Sequence, residues 1–326
     1  MRVLVTGMAG FAGSHLADYL LADGAVQVAG VVRTATDQAQ LAPHREQPSM
    51  FTADLTDDAA VRAVLSAWAP ERIYHLAAQA SVGASWADPA ETLRVNTLAQ
   101  LNLLRAVADL VPQARVLVVG SADEYGRVTP AELPLTESSA LRPASPYALS
   151  KVDQDLMGAM YHQSHGLAIV RVRPFNHIGP RQRAGFVVPD FCRQIALIEV
   201  GQQAPTIRVG NLAARRDFVD VRDVVRAYVL ALELGELGAV YNICRGRSVA
   251  IQELLDRLLG LARVPIAVEM DTRRLRPSDM PDLVGSAALL TQQTGWQPQI
   301  ELEQSLGDTL DYWRGIVATT EPSHCG

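Results

Sequence analysis

Val3-Leu4-Val5, running into Gly7-Met8-Ala9-Gly10-Phe11-Ala12-Gly13, decides the fold. An apolar strand followed at once by G-x-x-G-x-x-G predicts a tight turn into a helix. Glycine permits the turn, lets a pyrophosphate approach the backbone, and packs the helix closely on the strand. The helix N terminus then offers unpaired N–H donors to an anion. A bare glycine turn is the alternative, and the strand before it and the helix after it favour the binding reading.

Working outward, apolar strands alternate with helical segments from Arg2 to Val119. After the helix at about Phe11 to Ala22 come strands at Gln27 to Val32, near Met50 to Thr52, at Arg72 to Leu76 and at Arg115 to Val119. A long helix is expected over about Pro89 to Leu110. That pattern predicts a parallel sheet covered on both faces, an α/β fold of the Rossmann-type doubly wound kind. A sixth strand, Ala168 to Arg173, and a returning one, Ala239 to Ile243, extend it. Beyond Pro174 the elements shorten and proline increases, as in a smaller α/β lobe over the sheet edge. The expected division is 1–175 with about 216–244 for the dinucleotide, about 176–215 with 245–316 for the substrate, and a disordered tail over 317–326.

Composition narrows the function. The 326 residues are 48% hydrophobic, enough for a large core, and carry a net charge of −6. That balance argues against nucleic-acid binding, and Arg273-Arg274-Leu275-Arg276 is too short a basic cluster to reverse it. No apolar run reaches the ~18 residues of a membrane span, and Met1-Arg2 leads directly into a strand with no room for a signal peptide, so a cytoplasmic protein is expected. Cys192, Cys244 and Cys325 are odd in number and far apart, which fits a reducing compartment without disulfides or zinc. The seven histidines show no ligand spacing, and no metal is expected.

Tyr147-Ala148-Leu149-Ser150-Lys151 carries the chemistry. Residues i and i+4 share a helix face, so phenol and ammonium can enter one pocket. The lysine charge is expected to lower the phenol pKa toward neutrality, where a tyrosine can exchange protons with a sugar hydroxyl or carbonyl. Ser121 follows the fifth strand and offers a hydroxyl at the same sheet edge. Asp123 and Glu124 add carboxylates that are either catalytic or solvated. Arg33, where an NAD site would carry an acid, can meet a 2′-phosphate or lie in solvent. Asp54 either contacts adenine or caps the next helix. Ala77-Ala78 leave space for a flat cofactor, and Asn96 is either functional or a satisfied buried amide.

With these residues in view, the sequence resembles the extended short-chain dehydrogenase/reductases that modify nucleotide sugars. The resemblance runs from Gly7-x-x-Gly10-x-x-Gly13 through Ser121 and Tyr147-x-x-x-Lys151 to Arg276-Pro277-Ser278-Asp279. Asn176-His177 and Gly210-Asn211-Leu212 with Arg216-Asp217-Phe218 look like its GDP-mannose branch, and Arg173-Pro174-Phe175-Asn176-His177-Ile178-Gly179-Pro180-Arg181-Gln182 is specific to a few subfamilies. It implies NADPH, with NADH as the alternative. The contacts implied for the cofactor are Gly7, Gly10, Phe11, Ala12 and Gly13, then Arg33, Asp54 and Leu55, then Leu76, Ala77 and Ala78, then Tyr147, Lys151, Pro174 and His177.

For the substrate, a GDP-linked 4-keto-6-deoxyhexose, it implies Asn176, Arg216 and Arg276 at the diphosphate and Ser85 and Ser121 beside the hexose, with Asp123, Val188 and Arg193 also in contact. Arg181, Arg208 and Arg215 would face the same cleft. Hydride would pass to C4, with Tyr147 protonating the alkoxide and Ser121 hydrogen-bonding it. The rival reading is a GDP-mannose 4,6-dehydratase or an epimerase. The dehydratase branch carries threonine and, two residues on, glutamate, where this chain has Ser121 and Asp123. Aspartate is one methylene shorter, and a misplacement of about 1 Å can cost ~100-fold in rate. A one-residue loop shift would put Glu124 in that role. A non-catalytic dinucleotide-binding protein is a third reading. A homodimer is expected through helices near 90–110 and 146–164, whose apolar faces packing on the sheet would equally explain.

Overall fold

A computed structural model describes residues 1–34, 48–274 and 280–319. The strands are β1 (Arg2–Thr6), β2 (Gln27–Val32), β3 (Ser49–Thr52), β4 (Arg72–His75), β5 (Arg115–Val119) and β6 (Ala168–Pro174). Joined by β10 (Val240–Ile243), they form one sheet in the order β10-β6-β5-β4-β1-β2-β3. Every pair in it is parallel. Alternate residues of a strand face opposite ways, and β1 shows it: Val3 and Val5 join the core under one face, Leu4 the core under the other. Burial on both sides is why these strands read as unbroken apolar runs.

Helix α1 (Phe11–Leu21) and α8 (Val221–Leu234) cover the first face through Leu16, Leu20, Val224 and Tyr228. Helices α2 (Asp58–Trp68) and α5 (Ala99–Leu110) cover the second with Val61, Leu65, Leu103 and Val107. Helix α6 (Pro146–His165) completes it with Tyr161. Asp57 caps α2, accepting from Ala59 N at 2.9 Å, a contact that stabilises a helix by about 1 kcal/mol. The chain leaves β1 toward β2 on one side and reaches β4 on the other. The strand order therefore reverses at β1, which opens a crevice beyond the carboxyl ends of β1 and β4.

The expected helix over Pro89 to Leu110 is present and carries a π turn in its middle. Helix α3 (Val82–Ala87) stops at Asp88, whose side chain caps α4 (Pro89–Leu93) at Glu91 N, 3.0 Å, with Pro89 in the first turn where its missing N–H costs nothing. A π turn over Arg94–Leu98 then leads into α5.

Past Phe175, β7 (Asn176–Ile178), β9 (Arg215–Asp220), β11 (Ser248–Ala250) and β13 (Asp282–Leu283) make a smaller sheet. Strands β8 (Thr206–Val209) and β12 (Ala267–Met270) pair separately. Helices α7 (Val187–Glu199), α9 (Ile251–Gly260) and α11 (Leu302–Thr319) share a core with that region through Ile195, Leu254, Leu258 and Leu310. A short α10 (Ala288–Thr294) lies against α8. All of β9 pairs inside the small sheet, and α8 then carries the chain back so that β10 joins β6, as the sequence predicted. The tail expected from Val317 is corrected: α11 continues to Thr319 because Val317 is buried in this core. Residues 320–326, with Cys325, lie outside the described residues.

Candidate active site

A cleft of about 1220 Å³ follows the carboxyl edge of the large sheet and reaches the smaller one. It begins at the glycine turn. Gly7 has φ +69°, and a Cβ there would stand 2.9 Å from the Ala77 backbone; one on Gly13 would stand 2.2 Å from the Gly7 carbonyl oxygen. Any side chain at either place would push α1 off the strand. Gly10, the N-cap, has no side chain to occupy the N–H groups of Phe11, Ala12 and Gly13, which line the cleft. The turn therefore presents a ready anion site.

Arg33, Asp54 and Leu55 form one end of the cleft. Asp54 does not cap α2, since Asp57 does. Its carboxylate accepts from Thr56 N at 2.9 Å and Thr56 Oγ1 at 2.8 Å, and those bonds hold its pKa below the usual value. Leu76, Ala77 and Ala78 line the next stretch, and Pro174, Asn176, His177 and Arg216 line the side toward the small sheet. The His177 ring stacks parallel to Phe11, centroids 5.7 Å apart, closing the floor between the two regions.

At the centre are Ser121, Tyr147 and Lys151. Ser145 caps α6 by accepting from Ala148 N at 3.1 Å, and Pro146 starts the helix, so Tyr147 projects from its first turn. Ser121, Tyr147 and Lys151 line the cleft together, Ser121 Oγ accepts from Asp123 N at 3.1 Å, and Lys151 Nζ lies 5.9 Å from the Tyr147 ring centre. The expected lowering of the phenol pKa is reversed. Burial, then the charges of Asp123 and Glu124, raise it above the ordinary tyrosine value, with the Ser121 hydroxyl opposing. Lys151 is lowered to about 8 by burial, with Glu124 opposing. At neutral pH the pair is thus a protonated phenol beside a mostly protonated amine.

Glu124 is neither solvated nor free to replace Asp123. It is fully buried, and its Oε1 accepts from Ser121 N at 2.7 Å in a capping box on the Ala122–Tyr125 turn. Arg173 Nε stands 3.0 Å from its other oxygen. The same guanidinium pairs with Asp155 and lies over the Tyr125 ring at 5.2 Å. Tyr125 in turn donates to Asn242 Oδ1 at 2.6 Å. The loop cannot slip by one residue without dismantling this buried network. Asp123, by contrast, lines the cleft.

Several expected contacts fall elsewhere. Ser85 is buried and donates to Val82 O at 2.8 Å within its own helix, Val188 sits in the α7 core, and Arg193 is exposed on α7; none lines the cleft. Arg276 lies outside the described residues. Arg181 lines the cleft but pairs with Asp18 at 2.5 Å, and Arg215 pairs with Glu253 at 3.3 Å. Asn96 is a satisfied amide: it accepts from Gln79 N at 2.7 Å and donates to Ser150 Oγ at 2.9 Å.

Sequence reasoning missed two things. Tyr312, Trp313 and Ile316 of α11 line the cleft, although the chain near them reads as the approach to a tail. And Lys151 is the only lysine in the chain, every other basic residue among the 29 Lys and Arg being arginine. Where arginine fills every other cationic position, the one ammonium marks a place whose chemistry needs a group able to shift its pKa.

A doubly wound sheet, a glycine turn at its switch point and a Ser/Tyr/Lys cluster beside it define an oxidoreductase of the Rossmann-type short-chain dehydrogenase/reductase class. Within that class, the chain belongs to the family described as GDP-mannose 4,6 dehydratase, whose model matches residues 4–309. It is 38% identical to GDP-6-deoxy-D-mannose reductase of Pseudomonas aeruginosa over 97% of this chain and 98% of that one. The solved structure of RMD from Pseudomonas aeruginosa complexed with NADPH superposes with TM-score 0.84 at 36% identity, covering 97% of this chain and 99% of the other. The UDP-glucose 4-epimerase of Thermus thermophilus, solved in complex with NAD, gives 0.86 at 33% identity, covering 97% and 99%.

Proposed function

We propose that this protein reduces the C4 ketone of GDP-4-keto-6-deoxy-D-mannose with NADPH, yielding GDP-D-rhamnose or its C4 epimer. The observation that carries the reading is the Tyr147 phenol, kept protonated by burial, lining the cleft together with Ser121 and Lys151. Reduction of a ketone consumes a proton at the new alkoxide, so it needs the acid form, and burial maintains that form. A dehydratase must also take a proton from carbon; Asp123 is short for that task and Glu124 is held by Ser121 N and Arg173. The likeness to a GDP-6-deoxy-D-mannose reductase over nearly the whole chain supports the same reading.

The residues present fit the cofactor: open N–H groups at Phe11 to Gly13, a turn without room for a Cβ, and small residues at Ala77 and Ala78. NADPH, when bound, supplies the hydride. Tyr147 gives its proton to the oxygen on C4, Ser121 hydrogen-bonds that oxygen, and Lys151 keeps a positive charge beside both. Asn176 and Arg216 would hold the nucleotide diphosphate, whose binding energy orients the reacting carbonyl. We assign residues 1–175 with about 221–244 to the dinucleotide and about 176–220 with 245–316 to the sugar nucleotide, the boundary moving past β9 because that strand pairs inside the small sheet. A homodimer through α5 and α6 is supported by exposed Leu149, Leu156 and Met160 on α6. A reducing cytoplasm suits the free, buried Cys192 and Cys244.

Purified protein supplied with GDP-4-keto-6-deoxy-D-mannose should consume NADPH and give a 6-deoxyhexose by NMR. With GDP-mannose alone it should give nothing, and a 4-keto product there would replace this reading with the dehydratase. Cofactor choice offers a second check. Losing a charge-assisted contact of ~1.5–3 kcal/mol from Arg33→Ala should raise KM for NADPH by roughly 10–100-fold and leave KM for NADH nearly unchanged. Equal effects on both cofactors would remove Arg33 from the 2′-phosphate.

A further inference from the structure

Gln154 stands three residues beyond Lys151 on α6, buried among groups that belong to no conventional core. Both ends of its amide are engaged. Its Oε1 accepts from Lys151 Nζ at 2.9 Å, and its Nε2 donates to the main-chain oxygen of Asn96 at 3.1 Å. Asn96 lies inside the π turn over Arg94–Leu98. Such a turn widens the helical ladder and leaves a carbonyl open to an outside donor, one reason these turns gather near functional sites. The turn is tied to α6 a second time by Asn96 Nδ2 on Ser150 Oγ, 2.9 Å, and Ser150 Oγ donates to Tyr147 O at 2.7 Å.

An ammonium has three N–H donors. For Lys151, one goes to Gln154 and one to Val119 O at the end of β5, 2.9 Å. Lys151 also lines the cleft, where the third can meet a ligand. Around Nζ the charged and titratable groups are Glu124 from the turn after β5, His75 from β4, kept neutral by burial, and Tyr147 on the same helix. Gln154 therefore supplies a neutral acceptor where a carboxylate would add a charge.

We propose that Gln154 is a positioning residue of this site: it fixes the Lys151 ammonium between the π turn and β5 with one N–H left for a ligand in the cleft. The inference rests on the reading of Lys151 as an active-site group, but its test needs no substrate. Because Lys151 is the only lysine, protein grown with lysine carrying carbon-13 at Cε gives one side-chain resonance, and its pH titration reads this ammonium alone. Gln154→Met keeps length and removes the acceptor; the midpoint should fall by about one to two pH units, since an accepted hydrogen bond favours the charged form. Gln154→Glu restores an acceptor and adds an opposite charge; the midpoint should rise by about one unit or more. NADPH affinity should fall about tenfold in the Met variant and recover in the Glu variant, measured at a pH below both midpoints.

Shifts of opposite sign from one position cannot come from packing alone. A midpoint within error of the parent protein in both variants, or moved the same way in both, overturns the proposal. If Gln154→Met does not fold, the direction of the Gln154→Glu shift decides it. If the titrations behave as stated and no ketone is reduced, the positioning role stands and the reductase reading falls.

Discussion

Tyr147→Phe should lower kcat for ketone reduction by roughly 10²–10⁴, the range that a positioned proton donor contributes. NADPH binding should stay within a few-fold, because the ring and its packing remain. Steady-state cofactor oxidation and a separate binding titration measure the two quantities. The pH profile gives the sign. Since burial and the Asp123 charge hold the phenol above its ordinary pKa, the acid form persists through neutrality and the rate should not fall there for want of a proton. Lys151 titrates at about 8, so kcat/KM should be flat below that pH and decline above it as the ammonium loses its charge. A variant that turns over at the parent rate, or a rate that climbs steadily above pH 8, would remove Tyr147 from the chemistry. Ser121→Ala should cost less, because the phenol proton remains and one hydrogen bond to the oxygen is lost.

The large sheet was legible because parallel strands covered on both faces have no polar alternation to obscure them; β2 falls on the residues that its apolar run marks. The glycine turn was legible because its requirement is local: no Cβ fits at Gly7 or Gly13. The roles of neighbours in the loop after β5 were not. Ser121, Asp123 and Glu124 read alike as polar loop residues, and only Arg173, 49 positions beyond Glu124, makes one of them an interior charge. The phenol pKa went the other way for the same reason. An i, i+4 spacing predicts proximity to a lysine, but burial depends on what closes over the helix, and here burial, with Asp123 and Glu124, sets the direction. The π turn has no sequence signal comparable to a cap or a proline, and it became visible only through the partners of Asn96 and Gln154.

Arg173→Leu should destabilise the fold by about 3–5 kcal/mol, the usual consequence of removing one partner from a buried ion pair. Asp155 would keep Arg171 at 2.9 Å, so the stranded charge is Glu124, fully buried with its carboxylate already pushed upward by burial and Asp155. Glu124 would then hold a proton in the folded protein at pH values where the unfolded chain has released it. The parent's Glu124 already titrates at about 8, so both folded proteins hold this proton between pH 5 and 7; the variant keeps it to higher pH, and the deficit in urea unfolding should be steady up to about pH 7 and grow as pH rises through 8. A deficit independent of pH would show that Glu124 is not the stranded group. Second-site changes separate stability from function. Arg173→Leu with Glu124→Gln removes the unpaired charge and keeps an oxygen for Ser121 N, so most of the stability and the activity should return. Arg173→Leu with Glu124→Leu should recover stability as well, but Ser121 N loses the acceptor that fixes it at 2.7 Å, and the rate should stay low because the hydroxyl beside Tyr147 is no longer held in place.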